Sequence, residues 1–311
     1  MTTRFAVLFL TVWLFTAFGA ICSAQETTFE LSDGDRVVFL GNSFFERALE
    51  YGHIEAALSL CNASRDIQFR NIGWDGDTVF GHSRAGGRRR AVFGDANEGF
   101  ERMTKHVLSL EPTVVFVAYG FNESFDGEEG FDAFDRGLQR LLRNLNGPKR
   151  RFVLLSPPPL HEQSGAEPGY VAQRNAMLRM YSLAIEEIAK SKGHHFIDLF
   201  AAMQNTDAAS SDNGIHLNDK GYREAAKTIV SKLSQPRPKW EFNSPEADSL
   251  RQAIVKKNTL YYHRWRPRND AFVYGERKDE QKVAQTEPEQ FEPFIAKQES
   301  LIRQLLNGGK Q

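Results

Sequence analysis

Five short apolar runs, each followed by a segment of helical periodicity, constrain the fold of this chain more than any other feature. The runs occupy residues 36–40, 67–71, 113–118, 151–156 and 195–199. They are continuously apolar and do not alternate with polar residues, which is typical of strands covered on both faces, as in parallel sheets. The helical segments that separate or follow them occupy residues 46–59, 131–145, 170–191 and 222–233. This alternation predicts a doubly wound, three-layer α/β sandwich around a five-stranded parallel sheet.

The pattern changes near Pro236, where the sequence Gln-Pro-Arg-Pro-Lys cannot continue the preceding helix. Ser244 and Pro245 then supply an N-cap and a proline at the first helical position, which predicts a helix over 245–260. An amphipathic segment over 291–306 predicts a last helix. The expected architecture is therefore a flavodoxin-like sandwich followed by a C-terminal helical extension.

The first residues have the pattern of an export signal. Arg4 supplies a positive start, residues 5–18 are apolar apart from two threonines, and Ala24 is the expected last residue before cleavage. The apolar stretch is too short to span a bilayer comfortably, which disfavours a retained membrane anchor. Lipoprotein cleavage at Cys22 is an alternative, although Ile21 stands where such sites usually have a small residue. The sequence thus predicts a signal peptide at 1–24, an α/β domain at 25–235 and a helical extension at 236–311. It also predicts a secreted or periplasmic protein with no stable membrane span after cleavage.

Charge and cysteine content exclude several classes of partner. The formal net charge is −1, so no basic surface suggests a nucleic-acid partner. Signal cleavage would leave Cys61 as the one cysteine, which cannot form an internal disulfide. We interpret Cys61 as a small buried hydrophobe in preference to a catalytic thiol. No histidine and acid spacing resembles a metal site, and the sequence implies no metal and no cofactor.

Polar segments follow the predicted strands at the places where a ligand is expected. In an open α/β sheet, ligands bind outside the carboxyl ends of the strands. Three polar segments begin at such ends, and a fourth precedes the last helix of the domain. They are Gly-Asn-Ser at 41–43, Asn-Ile-Gly-Trp-Asp-Gly-Asp at 71–77, Tyr-Gly-Phe-Asn-Glu at 119–123 and Asp-Asn-Gly-Ile-His-Leu at 212–217.

These four segments resemble the SGNH/GDSL esterase and lipase family, which is named for a serine, a glycine, an asparagine and a histidine in four successive blocks. Ser43, Gly73, Asn122 and His216 occur here in that order, and the resemblance covers about residues 34–233. It implies a serine esterase in which Ser43 is the nucleophile and His216 is its base. It further implies an oxyanion hole made by the backbone N–H groups of Ser43 and Gly73 and by the side-chain amide of Asn122.

The chain departs from the family pattern at two positions. Asn42 replaces the aspartate of the first block, from which we expect altered hydrogen bonding in the loop and no loss of nucleophilicity. The triad acid normally stands three residues before the histidine, and that position is Asn213. We predict that Asp212, one residue earlier, supports His216 instead. A weakened triad with Asn213 is the alternative, because an amide orients imidazole without stabilising its charged form.

Side chains near the predicted site suggest the kind of substrate. Trp74 and Phe121 could stack on a sugar ring, although burial explains an aromatic side chain equally well. Arg88 lies on a loop with other arginines and could meet an anionic substrate, although such a charge run is usually a solvated loop. The leading interpretation is hydrolysis of a small-molecule or polysaccharide ester, such as deacylation of an extracellular carbohydrate. The competing interpretation is a non-catalytic carbohydrate or cell-surface binding module on a degenerate fold.

Overall fold

The protein forms one parallel sheet with helices on both faces. The computed structural model describes residues 29–85, 97–162, 167–275 and 277–308. Within these residues the five strands lie in the order β2-β1-β3-β4-β5, and all neighbours are parallel. The strands are β1 (Arg36–Gly41), β2 (Gln68–Asn71), β3 (Val114–Ala118), β4 (Arg151–Leu155) and β5 (His195–Ile197). The predicted doubly wound sandwich with a five-stranded parallel sheet is confirmed.

Helices fill the connections between the strands and make up the regular structure that follows the sheet. They are α1 (Ser43–Tyr51), α2 (His53–Cys61), α3 (Glu98–Ser109), α4 (Phe131–Leu145), α5 (Tyr170–Lys192), α6 (Leu199–Met203), α7 (Asp219–Lys232), α8 (Pro245–Trp265), α9 (Asp270–Val273) and α10 (Glu292–Leu306). A 3₁₀ segment over Lys282–Phe291 precedes α10. The described elements after residue 236 are all helical, as the sequence predicts.

The central strand β1 shows why the apolar runs are continuous. Val37 and Phe39 face one hydrophobic core, which also contains buried residues of α1, α2 and α7. Val38 and Leu40 face a second core with buried residues of α3, α4 and α5. Because successive side chains of a strand point to opposite faces, a strand between two helical layers needs an apolar residue at every position.

The prediction of one helix over residues 46–59 is wrong, because the chain breaks at Gly52 into α1 and α2. Gly52 has φ +69°, and its N–H donates to the Ala48 carbonyl at 2.9 Å, which ends α1. A Cβ at this position would lie 2.8 Å from Cγ2 of Val255 in α8. The break therefore combines a left-handed turn, which favours glycine, with close packing of the extension against α1.

The extension packs on α2 and along the edge strand β2. Leu250 and Ile254 of α8 share a buried apolar cluster with Leu60 of α2 and with side chains of α10. Lys257 of α8 is fully buried, and its Nζ lies 2.5 Å from the Glu55 carboxylate and 3.2 Å from a β2 backbone carbonyl. Covering an edge strand in this way satisfies a backbone group that would otherwise face solvent.

Cys61 is buried at the end of α2, as its interpretation as a small hydrophobe requires. Burial raises the pKa of its thiol to about 11, so the reactive thiolate is scarce at neutral pH. The predicted signal peptide at 1–24 lies outside the described residues. In the part of the chain that the structure does describe, no helix is both long enough and apolar enough to cross a membrane.

The break at Gly52 predicts a stability difference between two glycine variants. Gly193, at the end of α5, has φ +67° and open space around its Cβ position. Gly193→Ala should lower the free energy of unfolding by about 1–2 kcal/mol, the cost of a left-handed alanine. Gly52→Ala should cost about 1–3 kcal/mol more, because its methyl group also overlaps Val255. Urea denaturation of both variants measures the difference, and equal losses would contradict the packing argument.

Candidate active site

The topology of the sheet brings the predicted site residues to one edge. Strand β1 lies between β2 and β3, with Gly41 opposite Ala118 in the register. Ser43 follows β1 as the first residue of α1, and Asn122 follows β3. Asn42 caps α1, because its side-chain oxygen accepts the N–H of Phe44 at 3.1 Å. Because Ser43 is the first residue of α1, its N–H has no intrahelical acceptor.

The hydroxyl of Ser43 contacts the loop that follows β2. Its Oγ donates a hydrogen bond to the Asp75 carboxylate. The N–H of Gly76 lies 3.4 Å from the same Oγ. Neither Asp75 nor Gly76 is a predicted site residue, although both lie in the polar segment 71–77. The structure therefore places a carboxylate and a backbone donor directly at the proposed nucleophile.

Gly73, the predicted oxyanion donor of this loop, occupies a different environment. Its N–H donates to the side-chain oxygen of Asn71 at 2.9 Å in a buried position. A Cβ at Gly73 would lie 2.4 Å from the backbone nitrogen of Glu46, so a glycine is required there by close packing against α1. The geometry does not support Gly73 as the donor, and the N–H beside Ser43 belongs to Gly76.

Asn122 ties the loop after β3 to the loop after β2. Its Nδ2 donates to the backbone carbonyl of Asp77 at 2.7 Å, which uses one of the two N–H groups of the amide. The Asp77 carboxylate is fully buried and accepts hydrogen bonds from Arg84 Nε at 2.7 Å and from the Tyr119 hydroxyl at 2.9 Å. This buried network fixes the segment that carries Gly76.

A second buried carboxylate holds the same two loops together. Glu123 accepts the N–H of Val79 and the N–H of Gly120, each at 2.8 Å. Its burial raises the pKa of the carboxyl group to about 7. The loops that carry Gly76 and Asn122 are therefore joined by hydrogen bonds from side chains to backbone at both Asn122 and Glu123.

His216 lies in a tight turn before α7. The N–H of Asp212 donates to the His216 carbonyl at 2.9 Å, and Ser211 and Leu217 form an isolated antiparallel bridge. The side-chain oxygen of Asn213 accepts the N–H groups of Ile215 at 3.1 Å and of His216 at 2.9 Å. Both of these hydrogen bonds hold the backbone of the turn, and neither of them involves the imidazole ring.

The carboxylate of Asp212 is half exposed and pairs with Arg47, with 3.0 Å between Oδ2 and Nη2. In the described residues, neither Asp212 nor Asn213 forms a hydrogen bond with the His216 ring. Asp212, which we predict to support His216, is thus engaged by Arg47 and not by the imidazole in this arrangement. Arg47 lies one helical turn after Ser43 on α1, so both side chains share one face of the helix.

The surroundings of His216 lower the pKa of its imidazole below the ordinary value. Burial is the largest cause and the charge of Arg47 is the second, whereas the charges of Asp75 and Asp212 act in the opposite direction. A lowered pKa keeps the imidazole neutral at neutral pH. His216 is therefore in the form that accepts a proton.

Ser43 and His216 line one cavity of about 470 Å³ that opens to solvent. Its wall is largely apolar, with Phe121, Ile215 and Leu217 among the lining residues. A larger cavity of about 890 Å³ lies at the amino ends of β1 and β2 and contains none of the predicted site residues. We place the site at the smaller cavity, because residues of the right chemistry meet there. In the described ranges, no group of three or more His, Cys, Asp or Glu side chains could hold a metal ion.

The residues predicted to contact substrate have different surroundings. Phe121 lines the cavity beside Ser43. Trp74 does not line it, and its ring contacts two residues of the extension instead, with Arg266 at 3.9 Å and Trp265 at 5.5 Å. Stacking on a sugar is therefore not supported for Trp74. Arg88 lies outside the described residues.

Comparisons with known proteins identify a family and several similar proteins. Residues 39–224 match the GDSL-like lipase/acylhydrolase family. An isoamyl acetate-hydrolyzing esterase 1 homolog of Bos taurus is 30% identical in an alignment of 127 residues that covers 35% of this chain and 51% of that protein. The Homo sapiens homolog is 26% identical in an alignment of 137 residues that covers 39% of this chain and 55% of that protein. The chain spans about half the length of the curated relatives it matches.

Solved structures share the fold. A gut microbial diltiazem-metabolizing enzyme has a TM-score of 0.63 at 13% identity, over 89% of this chain and 96% of that chain. A catalytic mutant of an acetylxylan esterase from Geobacillus stearothermophilus has a TM-score of 0.51 at 18% identity, over 66% and 96% of the two chains. The fold that the chain shares with these structures is a parallel α/β sandwich. The chain belongs to the GDSL-like lipase/acylhydrolase family.

The charges around His216 predict opposite effects of two substitutions on its pKa. Arg47→Met should raise the pKa, because it removes a positive charge and leaves the Asp212 carboxylate unpaired. Asp75→Asn should lower it, because it removes a negative charge. An NMR titration of the imidazole measures both shifts. Arg179→Met, which breaks an ion pair with Asp198 instead, is the control and should leave the titration unchanged. A fall in the pKa on removal of Arg47 would contradict this account.

Proposed function

We propose that the protein is a serine esterase in which Ser43 attacks the ester carbonyl and His216 is the general base. One observation carries the proposal. Ser43 comes from the end of the first strand and His216 from a loop some 170 residues later, yet both line the same cavity. The cavity also has an apolar wall, which suits an acyl group.

The proposed reaction follows the acyl-enzyme route. Ser43 Oγ forms a bond to the carbonyl carbon as its proton passes to the His216 imidazole. The carbonyl oxygen becomes an oxyanion, which the N–H groups of Ser43 and Gly76 and the Asn122 amide would stabilise. The intermediate collapses as the alkoxide leaves with the proton from His216. Water then attacks the acyl-enzyme as the same imidazole takes its proton. The second intermediate collapses by breaking the bond to Ser43 Oγ, which takes that proton back from His216 as the acid is released.

The resting hydrogen bonds must change before attack. The Ser43 hydroxyl donates to Asp75, so it has to rotate toward His216 to transfer its proton. The imidazolium that forms needs a negative charge near it, and Asp75 and Asp212 both act on His216 in that sense. We propose that they share the role of the triad acid, with Arg47 holding Asp212 in place.

For the substrate, we propose the neutral ester of a small acyl group, such as an acetylated extracellular carbohydrate. The apolar cavity beside Ser43 accommodates the acyl group. The Asp75 carboxylate at the nucleophile disfavours an anionic substrate, and the buried Arg84 is already neutralised by Asp77. An acetylxylan esterase shares the fold, which agrees with this proposal without carrying it.

We also propose that the protein is exported. Support comes from residues 1–24, whose positive start, apolar stretch and small residues before Ala24 have the order of a signal peptide. Export would bring the site to polymeric esters outside the cell. Processing can be measured by the N-terminal sequence of the protein recovered from its natural host.

One observation favours a non-catalytic binding module as a second candidate. The Ser43 hydroxyl is engaged by Asp75, and no hydrogen bond to the His216 ring occurs within the described residues. A protein that binds acetylated sugars without cleaving them would tolerate this arrangement. Hydrolysis of a short-chain aryl ester by the purified protein separates the two candidates, because a binding module would not turn it over.

Ser43→Ala should abolish ester hydrolysis, because the alanine methyl group cannot attack a carbonyl carbon. The measurement is turnover of an aryl acetate, with circular dichroism to show that the fold is intact. Ser109→Ala, at an exposed site near the end of α3, is the matched control and should keep the wild-type rate. Wild-type turnover by a folded Ser43→Ala protein would falsify the assignment of the nucleophile.

Asn122→Ala should lower kcat about a hundredfold or more with little change in KM, because an oxyanion donor acts mainly on the transition state. Steady-state kinetics on the same aryl ester measure the two constants separately. A change confined to KM would show that Asn122 holds substrate and does not stabilise the oxyanion.

A further inference from the structure

We propose that Arg266, in the helical extension, is a positioning residue for the ester-cleaving site on the α/β domain. The inference rests on the proposed function. It assigns a role in catalysis to a part of the chain that lies outside the matched residues 39–224. Arg266 follows α8 and reaches the site through Glu46, one turn into α1.

A continuous series of contacts joins Arg266 to the nucleophile. Arg266 Nη1 lies 2.8 Å from Glu46 Oε2, and both side chains are largely buried. The same Glu46 oxygen accepts the backbone N–H of Asp75. The Asp75 carboxylate in turn accepts the Ser43 hydroxyl. Two hydrogen bonds and one ion pair thus separate the extension from Ser43.

The guanidinium of Arg266 also contacts Trp74, the residue that precedes Asp75 in the loop after β2. It lies 3.9 Å from the centre of the Trp74 ring, a distance typical of cation–π contact. Trp265 lies against the same indole at 5.5 Å. The backbone N–H of Trp74 donates to the Gly41 carbonyl at the end of β1. The extension therefore holds the loop at Trp74 by stacking and at Asp75 through Glu46.

The position of this loop matters because the next amide is the proposed oxyanion donor. Asp75 and Gly76 are adjacent, so a shift of the Asp75 backbone moves the Gly76 N–H that lies 3.4 Å from Ser43 Oγ. Asp75 and Gly76 are both exposed, and little side-chain packing holds them from the solvent side. A displacement of about 1 Å at a reacting centre can cost a hundredfold in rate. The Glu46 anchor thus adds to the buried network at Asp77 in fixing the donor, and Arg266 pairs with Glu46.

A second ion pair between the extension and the α/β domain offers a matched control. Arg70 of β2 and Glu299 of α10 lie 2.5 Å apart and are as buried as Arg266 and Glu46. Glu299 lines the cavity at the amino ends of the strands, away from Ser43. Breaking this pair should affect stability in a similar way without moving the active-site loop.

The experiment compares Arg266→Met, Glu46→Ala, the double variant and Glu299→Gln in the full chain, with an aryl acetate as substrate. Arg266→Met should lower kcat about tenfold, with KM within about twofold, because the groups it displaces, the Gly76 N–H and the Asp75 carboxylate, are proposed to act on the transition state. Glu299→Gln should keep the wild-type kcat at a similar loss of Tm. Arg266 acts through Glu46, so the double variant should be no slower than Glu46→Ala alone. Arg266→Lys keeps the positive charge and should retain part of the kcat that Arg266→Met loses. It takes the place of Arg266→Met in the comparison if that variant does not fold.

Two results would overturn the inference while leaving the esterase intact. One is an Arg266→Met variant whose kcat equals that of Glu299→Gln. The other is a double variant in which the losses of the two single variants multiply, since independent effects would add as free energies. A wild-type protein with no turnover would overturn the proposed function and this inference together.

Discussion

The position of β1 between β2 and β3 is the constraint on which the site depends. Parallel pairing brings the carboxyl ends of the three strands to one edge, and each strand continues into a loop with a polar residue at Ser43, Asp75 or Asn122. The sheet alone does not fix these loops. The buried carboxylates of Asp77 and Glu123 do so, by accepting hydrogen bonds from both loops that flank the site.

The charged side chains around Ser43 are carboxylates and arginines that lie next to one another. Ser43 contacts Asp75, and the backbone of Asp75 is held by Glu46, which pairs with the cation of Arg266. Arg47 pairs with Asp212, which precedes His216 in the turn before α7. Of these three carboxylates, Glu46 and Asp212 are each engaged by an arginine. Asp75 carries the negative charge that is most available to stabilise an imidazolium.

Much of the fold follows from the sequence, because an apolar run between two helical layers has few alternatives. The helix over 131–145 is predicted with both of its ends at the correct residues. The single helix over 46–59 fails at Gly52, where Val255, some two hundred residues away, packs against the turn. In the site, the sequence points to the segment 71–77, but it does not distinguish Gly73 from Gly76, which we propose as the donor. The two glycines differ in their surroundings, because Gly73 packs against α1 and Gly76 faces Ser43. The role that we propose for Arg266 could not be predicted from the sequence around it, because the role depends on contacts with Glu46 and Trp74, which are distant in the chain.

Covalent labelling of the nucleophile tests the central claim most directly. A fluorophosphonate reacts with a serine only where a base accepts its proton and donors stabilise the developing negative charge. Peptide mapping by mass spectrometry then locates the modified residue. The account predicts a single phosphonylated peptide with the adduct on Ser43 in the native protein, and none after denaturation. An adduct on another serine, or a native protein with an unmodified Ser43, would contradict it.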